Sequence, residues 1–162
     1  KYGEYLREEN NTSYCPQIIE KSKALTMLEQ IPYRKRPPWN LPRKCRVGIQ
    51  GTVSFNSGKS YQNFSSGELL PKGVLLQFFP IHSVPTPYTV KWQITNTGNE
   101  ARNAGCLRGV EFEDAELRRS GILCGKKEET SYAGTHYIQC FIIRNGNQCI
   151  GMSQPFVVKI KE

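Results

Sequence analysis

Several features that common catalytic and transport chemistries depend on are missing from this chain. It has only two histidines, His82 and His136, and none of its six cysteines forms a C-x-x-C pair, so the usual zinc-ligand spacings are absent. It contains neither a G-x-x-x-x-G-K-[ST] loop nor a G-x-G-x-x-G fingerprint, which excludes phosphate cradles of those two kinds. No run of 18 apolar residues is present, as a membrane-spanning helix would require. Its first residues, Lys1 to Asn10, are charged and mixed where a secretion signal would be apolar. The chain does not begin with Met and reads as a piece of a longer protein. Internal repeats and long low-complexity tracts are also lacking.

What is present fits one folded unit. A length of 162 residues suits a single core with a tail, and 38% hydrophobic with 22% charged residues is near the globular average. Lys and Arg number 22 against 14 Asp and Glu, a net +8, which favours encounter with phosphates, nucleic acid or anionic surfaces. The cysteines, at 15, 45, 106, 124, 140 and 149, allow two readings. Three disulfides would suit a secreted immunoglobulin-like module, and Asn10, Asn11 and Asn63 open glycosylation sequons. Reduced, partly buried thiols in the cytoplasm are the favoured reading, because long apolar strands can fold without staples. Neither a metal nor a cofactor is expected.

Periodicity divides the chain. Between Cys15 and Gln30, Ile18, Ile19, Leu25, Met27 and Leu28 alternate with charge in a pattern compatible with an amphipathic helix. Pro32, Pro37, Pro38 and Pro42 then imply a stiff, extended connector. Residues 1–43 are therefore expected to lead to an upstream domain, and residues 44–162 to form the folded unit. From Cys45 to Phe55 the period is two, with Gly51 a candidate bulge. Val74–Phe79 is a second strand, and Tyr88, Val90, Trp92 and Ile94 against Thr89, Lys91, Gln93 and Thr95 give the clearest one. His136–Ile143, a type I′ turn at Asn145-Gly146, Gln148–Met152 and Phe156–Ile160 complete the series. The expectation is a mostly β chain forming an antiparallel β-sandwich, immunoglobulin-like, with a short N-terminal helix and a Pro-rich connector.

Catalytic constellations are weak. His136 is the one plausible base, yet Cys140 lies four residues along the same strand face, too far for direct contact. Glu111, Glu113, Asp114 and Glu116 lie on a charged segment with no evident apolar pocket, which gives little support for paired acid/base work. A ligand-holding set is the better fit: Trp92 to stack on a base, Arg108 to bond a phosphate or base edge, Tyr132 and His136 to donate directional hydrogen bonds. Trp92 also has a core reading, in phase with Val90 and Ile94. Alternatively, Arg34, Lys35, Arg36, Trp39, Arg43 and Lys44 would grip a nucleic-acid backbone.

Pro37-Pro38-Trp39, Leu70-Pro71-Lys72-Gly73, the run Tyr88 to Ala101, Leu107-Arg108-Gly109 and Glu129 to His136 occur together in this order. The chain in this respect resembles the C-terminal sensor domain of adenylyl/guanylyl cyclase and SMODS nucleotidyltransferases, the AGS-C family, from about Trp39 to Ile160. That resemblance implies a non-enzymatic sensor in a bacterial anti-phage protein, attached to an effector or nucleotidyltransferase domain. It implies a nucleotide-type ligand, or DNA or RNA, with no membrane partner. It also adds Asn96, Glu100 and Thr130 to Trp92, Arg108, Tyr132 and His136 as matching polar positions, with Gly98, Gly109 and Gly134 meeting backbone needs. A protein-binding regulatory lid is the further alternative.

Overall fold

The computed structural model of the chain describes residues 22–39 and 44–162. The helical pattern expected before Ser22, and Arg43, lie outside the described residues.

A short helix, α1 (Lys23–Glu29), starts where the Ser22 side chain accepts a hydrogen bond from the Leu25 amide at 3.0 Å, a standard N-cap. Strands follow as β1 (Gly48–Ser54), β2 (Gln62–Phe64), β3 (Leu69–Leu70), β4 (Leu75–Ile81) and β5 (Thr89–Asn96). After β5 comes a helix not read from the sequence, α2 (Asn99–Asn103). The remaining strands are β6 (Glu113–Asp114), β7 (Leu117–Arg119), β8 (Ile122–Glu129), β9 (Gly134–Arg144), β10 (Gln148–Met152) and β11 (Phe156–Ile160).

Two sheets result, a five-stranded one ordered β2-β1-β4-β8-β7 and a six-stranded one ordered β3-β11-β9-β5-β6, with β10 also pairing β9. The expected mostly β sandwich is therefore present. It is not purely antiparallel, since β3 runs parallel to β11, pairing Leu69 with Lys159 and Leu70 with Ile160. Asn145 and Gly146 both have positive φ, at 52° and 77°, as the type I′ reading of that hairpin requires.

The inner faces meet in one core. Trp92, Ile94, Ile138, Cys140, Ile142, Phe156 and Val158 from the six-stranded sheet pack against Val53, Phe64, Leu76 and Phe78 from the other. Phe64, Phe78 and Phe156 stack edge to face, with centroids 5.1–6.2 Å apart. Gly51 is not a bulge. Its register is regular, and a Cβ there would stand 2.6 Å from the Phe156 ring, so the missing side chain makes room for that ring.

The outer face of the six-stranded sheet is covered as well. Leu25 and Leu28 of α1 pack on Tyr137, while Trp39 packs on Phe112 and Phe141. Between them Arg34 bonds the side chains of Gln93, at 3.2 Å, and Gln139, at 3.0 Å. The Tyr33 hydroxyl donates to the Asn96 carbonyl at 2.6 Å. Residues 22–39, expected as a helix and connector leading away, thus form a strap across the sheet. Gln93 and Thr95, on the polar face of β5, are only 1% exposed beneath it. No helix among the described residues is long and apolar enough to cross a membrane.

Candidate functional site

β5 and β9 are paired so that Asn96 stands opposite His136, at one end of the sandwich and on its inner face. Beyond Asn96 the chain must reverse tightly. Gly98 (φ 112°) and Gly134 (φ 137°) cross so closely that a Cβ on either would lie 2.5 Å or 2.2 Å from the other segment's carbonyl oxygen. Only glycine fits both the space and the dihedral, as expected for these motif positions.

The returning segment is held by the Asn96 side chain acting as an extra ladder rung. Its amide donates to the Cys106 carbonyl at 2.9 Å, and its oxygen accepts from the Arg108 N–H at 2.6 Å. This pins the start of a loop, residues 107–112, against β5. Gly109 accepts from the Lys35 amide at 2.8 Å and from the Gln93 amide at 2.9 Å, so the loop is fastened to the strap too.

Arg108 then reaches across to the other sheet. Its guanidinium donates to both oxygens of Glu128 on β8, at 2.7 and 3.0 Å, and to Glu113 on β6 at 2.7 Å. Lys126, 4% exposed, continues the chain of charges with Glu113 at 3.1 Å and Glu116 at 2.8 Å. Burial would lower the Arg108 pKa, but the bonds to Glu128 and Glu113 outweigh it and hold the value above its usual one. For Glu116, burial acts upward, and the bonds from Lys126 and the Lys127 amide pull its carboxyl below the usual range.

This network forms the wall of a cleft of about 520 Å³ that opens between the 107–116 segment and β8. Ile94, Leu107, Val110 and Phe112 supply apolar surface. The charged lining is Arg108 and Lys126 against Glu111, Glu113, Asp114 and Glu116, two positive and four negative, hence net −2. The segment expected to have no apolar pocket beside its carboxylates therefore has one. The missed residues, Lys126 and Glu128, carried one signal: they alternate in phase with the inward-facing Cys124.

The motif residues divide by role. Arg108 lines the cleft, and Asn96 and His136 stand behind it. His136 is largely buried, its Nε2 has no partner among the described residues, and burial with the nearby Arg108 charge lowers its pKa to about 4 against the raising effect of a bond to the Tyr132 backbone. Glu100 clasps Lys72 at 2.6 Å and the Ala133 amide at 2.7 Å, which ties α2 to the β3–β4 and β8–β9 turns. Thr130 is wholly buried and staples the Pro71–Val74 turn, donating to the Pro71 carbonyl and accepting from the Val74 amide, both at 2.9 Å. The Tyr132 hydroxyl donates to the Cys106 sulfur at 3.2 Å instead of forming a backbone tyrosine corner. Trp92 lies in the core at 0% exposure with its indole N–H on the Cys124 carbonyl, so neither ring face is open to a base.

The basic set divides as well. Arg34 and Trp39 are committed to the strap, whereas Lys35, Arg36 and Lys44 are exposed. Cys45, Cys106, Cys124, Cys140 and Cys149 are free thiols, and burial pushes Cys140 up to about 12 and Cys149 to about 11.

The fold is thus a β-sandwich with a mixed-polarity cleft at one end. The model of one protein family, the adenylyl/guanylyl and SMODS C-terminal sensor domain, matches residues 29–161, and the chain belongs to this family. The match begins at the last residue of α1 and takes in residues 29–39 of the strap. A search of curated proteins found no match.

Proposed function

We propose that this sensor domain recognises a nucleotide-type signal, a second messenger or modified nucleotide, in the cleft beside Arg108. In this reading it is the cytoplasmic sensor of a bacterial anti-phage protein and controls an attached effector or nucleotidyltransferase. The observation that carries it is the fixing of Arg108 at the wall of a cleft of about 520 Å³, within the size range of small-molecule sites. A held guanidinium offers a planar donor face, and the neighbouring carboxylates accept N–H donors such as those on a base edge. With a net −2 lining, the base enters and the phosphates stay outside.

The same loop gives a route outward. Gly109 is bonded to Lys35 and Gln93, and Phe112 packs on Trp39, so a ligand that shifts residues 107–112 acts on the strap. Control requires that the ligand bind one strap arrangement more tightly than another.

The test is the thermal unfolding midpoint against mononucleotides, modified nucleotides, cyclic oligonucleotides and short DNA and RNA at two salt concentrations. A salt-tolerant rise with a small nucleotide, lost in Val110→Trp, which fills the cleft from an exposed position, is the expected result. A rise only with oligonucleotides, abolished by salt, would favour the exposed Lys35, Arg36 and Lys44 as a nucleic-acid contact. No rise with any of them would sink the nucleotide reading and leave the protein-binding lid.

A further inference from the structure

The opposite end of the six-stranded sheet carries another pocket, lined by none of the candidate ligand-binding residues. On β9, His136 marks the cleft end and Arg144 the other, eight residues on and roughly 25 Å away at the rise of a strand. There a pocket of about 410 Å³ is lined by Tyr88, Thr89, Ile143, Arg144, Asn145 and Gly146, with Pro87 at its edge. No carboxylate lines it.

Arg144 is the reason this pocket differs from a surface dimple. Four other described cations, Lys72, Lys91, Arg108 and Lys126, form ion pairs with carboxylates. Arg144 has none among the described residues, and one amino group donates to the Pro85 carbonyl. Its Nε is shielded from solvent and has no hydrogen-bond partner among the described residues. A half-buried guanidinium with one neutral acceptor and no counter-charge among those residues is costly unless an anion meets its remaining terminal N–H groups. Thr89 and Asn145 are further polar residues of the lining.

The geometry points to Arg144 as the centre of an anion site that takes the phosphate group of a small phosphate monoester. Guanidinium and phosphate match as a charge-assisted fork, and the pocket volume admits a compound of mononucleotide size. The site is independent of the acidic cleft at the far end, whose net −2 lining disfavours phosphate.

Titration calorimetry at low salt, with orthophosphate and adenosine 5′-monophosphate as probes, tests this. The expected result is saturable one-to-one binding that weakens at least tenfold in Arg144→Gln and in Thr89→Glu, where a carboxylate beside the pocket competes with the ligand. Thr89 is exposed, so the second variant keeps the fold, which its unfolding midpoint checks. Orthophosphate has no base for the cleft to hold, so its Arg144-dependent binding separates this site from the cleft. Absence of binding, or binding by Arg144→Gln and Thr89→Glu as tight as by the unaltered chain, overturns the proposal. Arg144-dependent binding of a short single-stranded DNA alone, with neither small probe bound, overturns it in favour of a diester backbone.

Discussion

The guanidinium of Arg108 holds Glu128 through both carboxylate oxygens, and this one contact ties the loop after α2 to β8 of the opposite sheet. Glu128 is 15% exposed and Arg108 37%, so the pair is only partly screened by water. Glu128→Ala should destabilise by about 1–3 kcal/mol, less than for a fully buried pair because Arg108 stays partly wet. The double variant Arg108→Leu with Glu128→Leu should cost less than the sum of the two single changes, since no charge is stranded. Urea unfolding of the four proteins measures this, and simple additivity would show that the pair is not coupled.

His136 sets a pH dependence. Its pKa falls from an ordinary 6.5 to about 4, so between these values the unfolded chain binds a proton that the folded one does not. Its contribution is fully present above pH 6.5 and is lost as the pH falls toward 4, on the order of 3 kcal/mol in all. Glu100 and Glu116, whose pKa values are lowered from 4.5, lose theirs in a lower window, as the pH falls through and below that value. Unfolding free energy measured from pH 4 to 7 should slope upward, and His136→Phe should flatten the slope.

The crossing of Gly98 and Gly134 should tolerate no side chain. Alanine at Gly134 would place Cβ 2.2 Å from the Thr97 oxygen at φ 137°, a conflict of space and dihedral together, and should cost more than about 2 kcal/mol. Gly105→Ala, at φ 67° with nothing within 4 Å, isolates the dihedral and should cost only about 1 kcal/mol. Equal costs in thermal unfolding would mean that the crossing relaxes.

The strap should unfold with the sandwich. Leu28, 1% exposed against Tyr137, should cost about 2–5 kcal/mol when cut to alanine, and the change should appear in the global transition. Near-ultraviolet dichroism of the tryptophans and far-ultraviolet dichroism should move together. A separate early transition in the Leu28→Ala protein would place α1 outside the cooperative unit.

Local pattern made much of the fold legible. The alternation from Tyr88 to Thr95 fixes β5 because successive side chains of a strand must face opposite ways, and Asn145-Gly146 fixes the hairpin because few residues accept two positive φ values. The motif positions Asn96, Glu100, Arg108, Tyr132 and His136 do gather at one end of the sandwich. Their partners were not legible: Lys126 and Glu128 become partners only because β8 turns them inward, and Trp92 stayed open between platform and core.

By itself, then, the sequence determined strand period and turn chemistry, since both depend on neighbours along the chain, whereas the need for bare glycines at 51, 98 and 134 comes from segments distant in sequence. Only the tertiary structure decided that Pro-rich residues 31–39 close over Gln93 and Gln139, that four carboxylates and two cations share one cleft, and that Arg144 has no counter-charge among the described residues. Those facts depend on which faces two sheets and a strap present to each other, and a charge acquires its partner, or lacks one, only when distant segments meet.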